Sequence, residues 1–328
     1  MSVYQLVMGR SMRRTCAFAL AIFAGACSDS STSANTPLID SRLIAFVSDS
    51  GNSVTATDAR GTSIFLMHAD GSHKQRLTSA NFEDKNPRWS PDGSAITFET
   101  SRAPAGIWIM NSDGSNQRSL LTNSAFGFPN ELHWSQDGHS IAFGAYASAS
   151  SSERVIMIAD ANGAHAHRFI PSSHNQHWPS WSPDGAKIAF MEEDDSVGYS
   201  IYVANADGTA QQRLSFGTDF MPEWSPDGSR IVFVNLDVQN FSSSRIFVMQ
   251  ADGSHKLALT TGDVDEPTWS PDGRQLAFER FGTDSAPNGP IEIYRMNADG
   301  SRVLAITEVG STLQEFDQAQ SPVWKPAP

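Results

Sequence analysis

Six times the chain returns to a tryptophan at the end of a short apolar run, and five of these open a near-identical turn. They are Trp89-Ser-Pro-Asp-Gly93, Trp134-Ser-Gln-Asp-Gly138, Trp181-Ser-Pro-Asp-Gly185, Trp224-Ser-Pro-Asp-Gly228, Trp269-Ser-Pro-Asp-Gly273 and a shortened Trp324-Lys-Pro. The tryptophans recur at intervals of 45, 47, 43, 45 and 55 residues. A second signature follows each alternating apolar run: Asp70-Gly71, Asp113-Gly114, Asn162-Gly163, Asp207-Gly208, Asp252-Gly253 and Asp299-Gly300. Such a unit cannot bury its own apolar faces, so neighbouring units must stack.

One unit reads strand by strand. Strand A ends at Trp181, and Ser-Pro-Asp-Gly turns the chain, with Pro setting φ and Gly relieving the left-handed position. Strand B is Lys187-Ile-Ala-Phe190, and strand C is Ser200-Ile-Tyr-Val-Ala204, alternating with period two. Asn205-Ala-Asp-Gly208 makes the next turn, and strand D is Gln212-Arg-Leu214. Phe98, Phe143, Phe190, Phe233 and Phe278 close strand B in five units. Four short strands per repeat of about 45 residues predict an all-β, six-bladed β-propeller over 37–328 with four antiparallel strands per blade. The first unit, from Arg42 to Thr78, lacks strand A, and Ser321-Pro-Val-Trp324 is a strand A with nothing after it. The C-terminal strand is therefore expected to pair into the N-terminal blade and close the ring, leaving no open sheet edge. Trp89, Trp134, Trp181, Trp224, Trp269 and Trp324 are read as core residues packed between blades.

The Trp-Ser-Pro-Asp-Gly and Asn-Ala-Asp-Gly pattern resembles the WD40-like repeats of TolB propellers, across nearly all of 37–328. It is also similar to propellers attached to prolyl-oligopeptidase-type peptidases, a likeness of fold. The TolB resemblance implies periplasmic protein–protein binding, with a peptidoglycan-associated lipoprotein as the family's partner. The chain departs from TolB in lacking a separate α/β domain between Cys27 and the first blade, so a place in a Tol–Pal system is not inferred.

The N-terminus has a different character. Arg13 and Arg14 precede an apolar run from Cys16 to Ala26 that is too short for a membrane anchor and suits a signal peptide, with Met12 an alternative start to Met1. Ala24-Gly25-Ala26-Cys27 resembles a lipobox, with Ala24 in place of the usual Leu. Residues 1–26 are thus read as a lipoprotein signal peptide, Cys27 as the lipidation site and 27–36 as a polar tether. Ser28 after the Cys favours the outer membrane, on the periplasmic side of the bacterial envelope. The only two cysteines, Cys16 and Cys27, lie in this export segment, so the folded part has no disulfide framework. Cleavage leaves 36 acidic against 20 basic residues, a formal charge of −16. That acidity argues against nucleic acid as a partner and against any membrane contact other than the lipid anchor.

Topology places the short A–B and C–D turns on one face and the variable B–C and D–A connections on the other. Binding sites concentrate on variable loops of rigid scaffolds. The lead-ins to strand A carry Asp84, Lys85, Glu131, His177, Trp178, Asp219, Glu223, Asp265, Glu266 and Asp317, read as an acidic, partly aromatic funnel at the channel mouth. The reading expects a monomeric, non-enzymatic scaffold for an envelope protein or peptide. Its alternatives are a glycan-active or metal-dependent lyase-like propeller, with Glu223 and Glu266 as candidate acid–base groups, and a carbohydrate-binding or sensing module.

Other motifs carry less. Gly138-His-Ser140 sits in the A–B turn slot, not at the strand-to-helix elbow a nucleophilic Ser needs. His165 and His167 are placed on the opposite face from His174 and His177, so shared zinc ligation is not expected. Glu192-Glu-Asp-Asp195 offers oxygens that suit Ca²⁺ but lacks the spacing of a known loop. No cofactor and no resident metal are expected, a Ca²⁺ at this loop or in the channel being the one cation such oxygens would hold.

Overall fold

The computed structural model describes residues 42–49, 61–122, 126–148, 150–194, 198–237, 243–283, 286–307 and 318–327. The signal peptide, Cys27 and the tether lie outside the described residues. The described chain is all β, with no helix. Its strands are β1 Leu43–Ser48, β2 Ser63–His68, β3 Gln75–Arg76, β4 Asp84–Trp89, β5 Ala95–Thr100, β6 Gly106–Asn111, β7 Arg118–Thr122 and β8 Gly127–Trp134. They continue with β9 Ser140–Tyr146, β10 Arg154–Asp160, β11 His167–Arg168, β12 Asn175–Trp181, β13 Lys187–Asp194, β14 Gly198–Asn205, β15 Gln212–Arg213 and β16 Gly217–Trp224. The last are β17 Arg230–Leu236, β18 Ser244–Gln250, β19 Leu257–Ala258, β20 Val264–Trp269, β21 Gln275–Thr283, β22 Ala286–Asn297, β23 Leu304–Ala305 and β24 Ala319–Trp324.

The expected six separate blades need correcting. Four sheets are four-stranded blades: β24-β1-β2-β3, β4-β5-β6-β7, β8-β9-β10-β11 and β20-β21-β22-β23. The strands β12–β19 instead share one eight-stranded sheet. The cause is a parallel pairing of β14 with β16, Gly198 opposite Gly217 and Tyr199 opposite Thr218. Two glycines make this approach feasible. Both adopt positive φ, +81° and +123°, and a Cβ on Gly198 would lie 2.9 Å from the Gly217 carbonyl oxygen. Separately spaced blades therefore number four, and the other two repeats are joined through backbone hydrogen bonds.

The C-terminal strand β24 pairs antiparallel with β1, Ile44 opposite Trp324 and Ser48 opposite Ala319. The strands that begin each unit also touch in sequence: β4 with β8, β8 with β12, β12 with β16, β16 with β20, β20 with β24, and β24 with β4. They form a closed inner ring, and the two-residue strands β3, β11, β15, β19 and β23 lie at the outer ends of the units.

Packing explains the repeat residues. Trp324 joins Ile44, Phe46 and Met67 to Ala277, Ile293 and Ile306, so its ring lies between two sheets. Trp89 does the same between Ala45, Val47 and Leu66 on one side and Ile96, Phe98 and Met110 on the other. Trp181, Trp224 and Trp269 are equally enclosed, and Trp134 is half-buried. Among the described residues, Phe46, Phe98, Phe143, Phe190, Phe233 and Phe278 are the largest wholly buried side chains. Turn chemistry explains the rest of the motif. Ser225 Oγ donates to Asp227 Oδ1 at 2.6 Å and accepts the Arg230 N–H at 2.9 Å, while Asp227 Oδ1 accepts the Ser229 N–H at 3.0 Å. The same three bonds recur around Ser90, Ser135, Ser182 and Ser270. Local side-chain bonds of this kind favour turns over continued sheet. Asp227 is consequently held down at about 2, first by the Ser225 hydroxyl.

Candidate functional site

Each inner strand carries an irregularity at the axis of the ring. The register shifts between Lys85 and Arg88, His177 and Ser180, Phe220 and Glu223, and Asp265 and Thr268. At these points Asn86, Trp178, Met221 and Glu266 take positive φ of 48–54°, as do Ser321 in β24 at 50° and Glu131 in β8 at 55°. Pro follows in every case but Glu131. A non-Gly residue in this region is uncommon and needs surrounding structure to hold it.

Much of that support comes from carboxylates. Glu279 Oε1 accepts the Ser321 N–H at 2.5 Å, and Ser321 Oγ donates to Asn86 Oδ1 at 3.3 Å. Asn86 Nδ2 and the Glu131 N–H both donate to Glu99 Oε1, at 2.9 and 2.8 Å. Glu131 Oε2 in turn accepts the Trp178 N–H at 3.0 Å. A hydrogen-bonded belt thus runs from β21 through β24, β4, β5 and β8 to β12. Further round, Glu223 Oε1 accepts the Trp269 N–H at 2.9 Å and the Thr268 hydroxyl at 3.1 Å.

The electrostatics follow from crowding. Burial raises Glu99, reinforced by the charge on Glu131. Burial also raises Glu223, against the pull of Arg88. Glu279 is raised well above the usual carboxylate range, by burial first and then by Glu266 and Asp265. Glu131 goes the other way. Burial pushes it up, but the His177 ring 3.7 Å away, the Arg154 guanidinium and the Trp178 N–H together outweigh that and lower it. His133 falls to about 4 because it is buried and faces Arg88.

The residues singled out in the sequence separate into groups. Glu131, His177 and Trp178 meet at one point, where the His177 ring lies 5.6 Å from that of Trp178 and Trp178 lies 5.8 Å from Phe220. Asp265 and Glu266 adjoin Glu279. Asp84 and Asp219 face inward within their own repeats. Asp84 is wholly buried against Arg102 and the Thr100 hydroxyl. Asp219 is wholly buried against Lys256 at 2.7 Å and Asn235 at 2.6 Å. Lys85 pairs with Glu83 at the surface. Asp317 lies outside the described residues. His174 sits 3.4 Å from Glu192, and His165 pairs with Asp160 on an exposed turn. Among the described residues no three His, Cys, Asp or Glu side chains converge as metal ligands.

Glu99 and Glu279 were missed in the sequence, although a signal existed. Both directly follow the repeat phenylalanine, where other units place Val47, Gly144, Met191 and Val234. A second missed feature is apolar. Phe82, Phe128 and Phe216 are 37%, 64% and 68% exposed. All three lie on or beside the connections that lead into inner strands, the D–A side of the ring.

The TolB beta propeller domain model matches residues 42–220 and 145–326. The chain belongs to this family. Its structure is similar to TolB from Acinetobacter baumannii, with a TM-score of 0.73, 19% identity and coverage of 89% of this chain and 68% of that one. It is also similar to a TolB-like structure from Agrobacterium tumefaciens, with a TM-score of 0.64, 19% identity and coverage of 81% and 88%. At such identities the likeness is one of fold. In sequence, a 139-residue stretch is 31% identical to the uncharacterized protein Atu1656 of Agrobacterium fabrum, covering 39% of this chain and 46% of that protein. The chain thus spans about half the length of that relative.

Proposed function

We propose that this TolB-family propeller is an exported, lipid-anchored envelope protein that binds a protein or peptide on the face carrying its variable connections, without catalysing a reaction. The observation that carries the reading is the placement of Phe82, Phe128 and Phe216. Exposed aromatic rings on a rigid scaffold are the usual anchors of protein interfaces. Among the described residues, all three exposed phenylalanines fall on the D–A side. Phe128 is held at a positive φ of 48° and packs edge-on against Tyr146. A strained backbone that presents an apolar ring to solvent supports a binding role. The axial carboxylates fit a scaffold too, since Glu99, Glu131, Glu223 and Glu279 accept backbone N–H groups from neighbouring units.

Photo-crosslinking in cells tests the proposal. A photoreactive residue replacing Phe128 should give a discrete protein adduct, and one replacing Ser115, on the short-turn face, should not. Adducts from neither position, or equally from both, would refute it. Lipid anchoring is tested separately: Cys27→Ala should move the protein from the membrane to the soluble periplasmic fraction.

A further inference from the structure

The turn between β10 and β11 is the one C–D turn built on Asn-Gly. In the other five, Asp70, Asp113, Asp207, Asp252 and Asp299 stand at the same place, and each accepts at Oδ1 the N–H two residues on, at 2.9–3.0 Å. Asn162 Oδ1 makes the same bond, to the Ala164 N–H at 2.9 Å. The Asn162 side chain is exposed, but the backbone of its turn is held. Gly163 gives its N–H to Asp160 O at 2.8 Å, Asp160 gives its own to Ala164 O at 2.9 Å, and Ala161 gives its own to His139 O at 2.9 Å. Gly163 takes a φ of +84°, and a Cβ there would lie 2.9 Å from Leu120 O and 3.1 Å from Leu121 Cδ2, both of the preceding repeat.

An Asn followed by Gly carries its own reaction. The Gly nitrogen, once it has lost its proton, attacks the Asn Cγ, and glycine has no side chain to hinder the approach. The new N–Cγ bond closes a cyclic imide while the Cγ–Nδ2 bond breaks, and the side-chain amide leaves as ammonia, taking up the proton. Water then opens the imide at one carbonyl or the other, giving aspartate or its isomer with the main chain routed through the side chain. One water is consumed and one ammonia released, with no oxidation or reduction. In this turn the nucleophile is the nitrogen whose N–H is bonded to Asp160 O, so ionising it forfeits that bond. Leu120 and Leu121 crowd the Gly163 Cα, so the nitrogen cannot pivot away from Asp160 while the turn is seated.

We propose that Asn162 is a deamidation site gated by the fold: it reacts only in molecules whose β10–β11 turn has opened, and the aspartate it forms fits the closed turn. The fit follows from the five sister turns, where an aspartate already carries the same bond. Ala164 lacks the hydroxyl through which Thr209 and Ser301 give Asp207 and Asp299 a second bond, so the product is tolerated in the turn without being favoured there. The change adds one negative charge to the short-turn face.

The purified full-length protein is incubated at pH 8, folded in buffer or unfolded in guanidinium chloride, and samples are digested with trypsin. Cleavage after Arg154 and Arg168 isolates Asn162 as the one Asn of its peptide, and mass spectrometry reads its conversion to the acid. Conversion in the folded protein is expected to be slower by roughly tenfold or more, and by a factor within about threefold of the hydrogen-exchange protection of the Gly163 amide, since both need that amide freed. Asn162→Asp should melt within about 2 °C of the wild type. Conversion as fast in the folded protein as in the unfolded chain overturns the gate. So does a Gly163 amide protected far beyond the slowing at Asn162. No conversion in the unfolded chain overturns the site itself, and an Asn162→Asp variant that melts well below the wild type overturns the fit of the product.

Discussion

Replacing Trp324 with Ala tests whether the last strand is integral to the fold. The ring is 4% exposed, enclosed by side chains from β1 and β2 on one side and β21 and β22 on the other. Arg42 lies over it at 4.8 Å. Truncating such a side chain costs about 3–5 kcal/mol, transfer and cavity together. Losing the cation–π contact adds about 0.5–1 kcal/mol. The control is Trp181→Ala, because Trp181 is 8% exposed in a similar inter-sheet cluster but sits in mid-chain. If β24 folds and unfolds with the rest, the two variants lose comparable stability, roughly 4 kcal/mol each. At about 2 °C per kcal/mol for a large domain, each melting temperature drops by roughly 8 °C. Urea unfolding of the full-length protein, followed by circular dichroism and tryptophan fluorescence, measures both; coincident transitions license the comparison. A loss under about 1 kcal/mol for Trp324→Ala, beside roughly 4 for Trp181→Ala, would mean that β24 frays independently and that closure contributes little.

Three further outcomes are expected. Glu279 holds its proton above its ordinary value of 4.5, so the folded state binds more protons than the unfolded one from there upward, and wild-type stability falls as pH rises through that window. Glu279→Gln keeps an acceptor for the Ser321 N–H and should flatten that fall in urea midpoints measured from pH 4 to 8; an unchanged slope would count against a raised Glu279. Asp227, held at about 2, contributes stability above 3.8 that is lost as pH falls toward 2, so Asp227→Asn should reduce acid sensitivity in melts between pH 2 and 4. Gly198→Ala places a Cβ 2.9 Å from a carbonyl oxygen at a φ of +81°; a cost of about 1–3 kcal/mol in urea unfolding is expected, with faster amide exchange at Gly217 and Thr218.

The repeat architecture was readable because tryptophan, turn and phenylalanine recur with one period and because packing between units demands them. The pairing of β24 with β1 was readable from an incomplete first unit and a lone last strand. The fused sheet was not readable, since Gly198 and Gly217 look like ordinary loop glycines and their pairing depends on how two connections meet in space. Site residues were harder for a similar reason. Asp84 and Asp219 looked like exposed loop acids, but their partners Arg102 and Lys256 lie 18 and 37 residues away and only strand register brings them together. The axial belt left a trace in the prolines that follow Asn86, Trp178, Met221, Glu266 and Ser321. Its meaning depends on the positive φ before each proline, which the sequence alone does not display.

The parallel pairing of β14 with β16 also bears on how such a chain changes over evolutionary time. In a repeat protein each unit contacts only its neighbours, so a unit can be exchanged only if both of its junctions are remade. At other boundaries the junction is held by packed side chains and by carboxylates that accept a neighbour's backbone N–H. Between β14 and β16 the boundary is crossed by main-chain hydrogen bonds that depend on a glycine from each side. The repeats ending at Arg213 and beginning at Gly217 therefore form one heritable block, and a duplication or swap that separates them must restore both glycines at once.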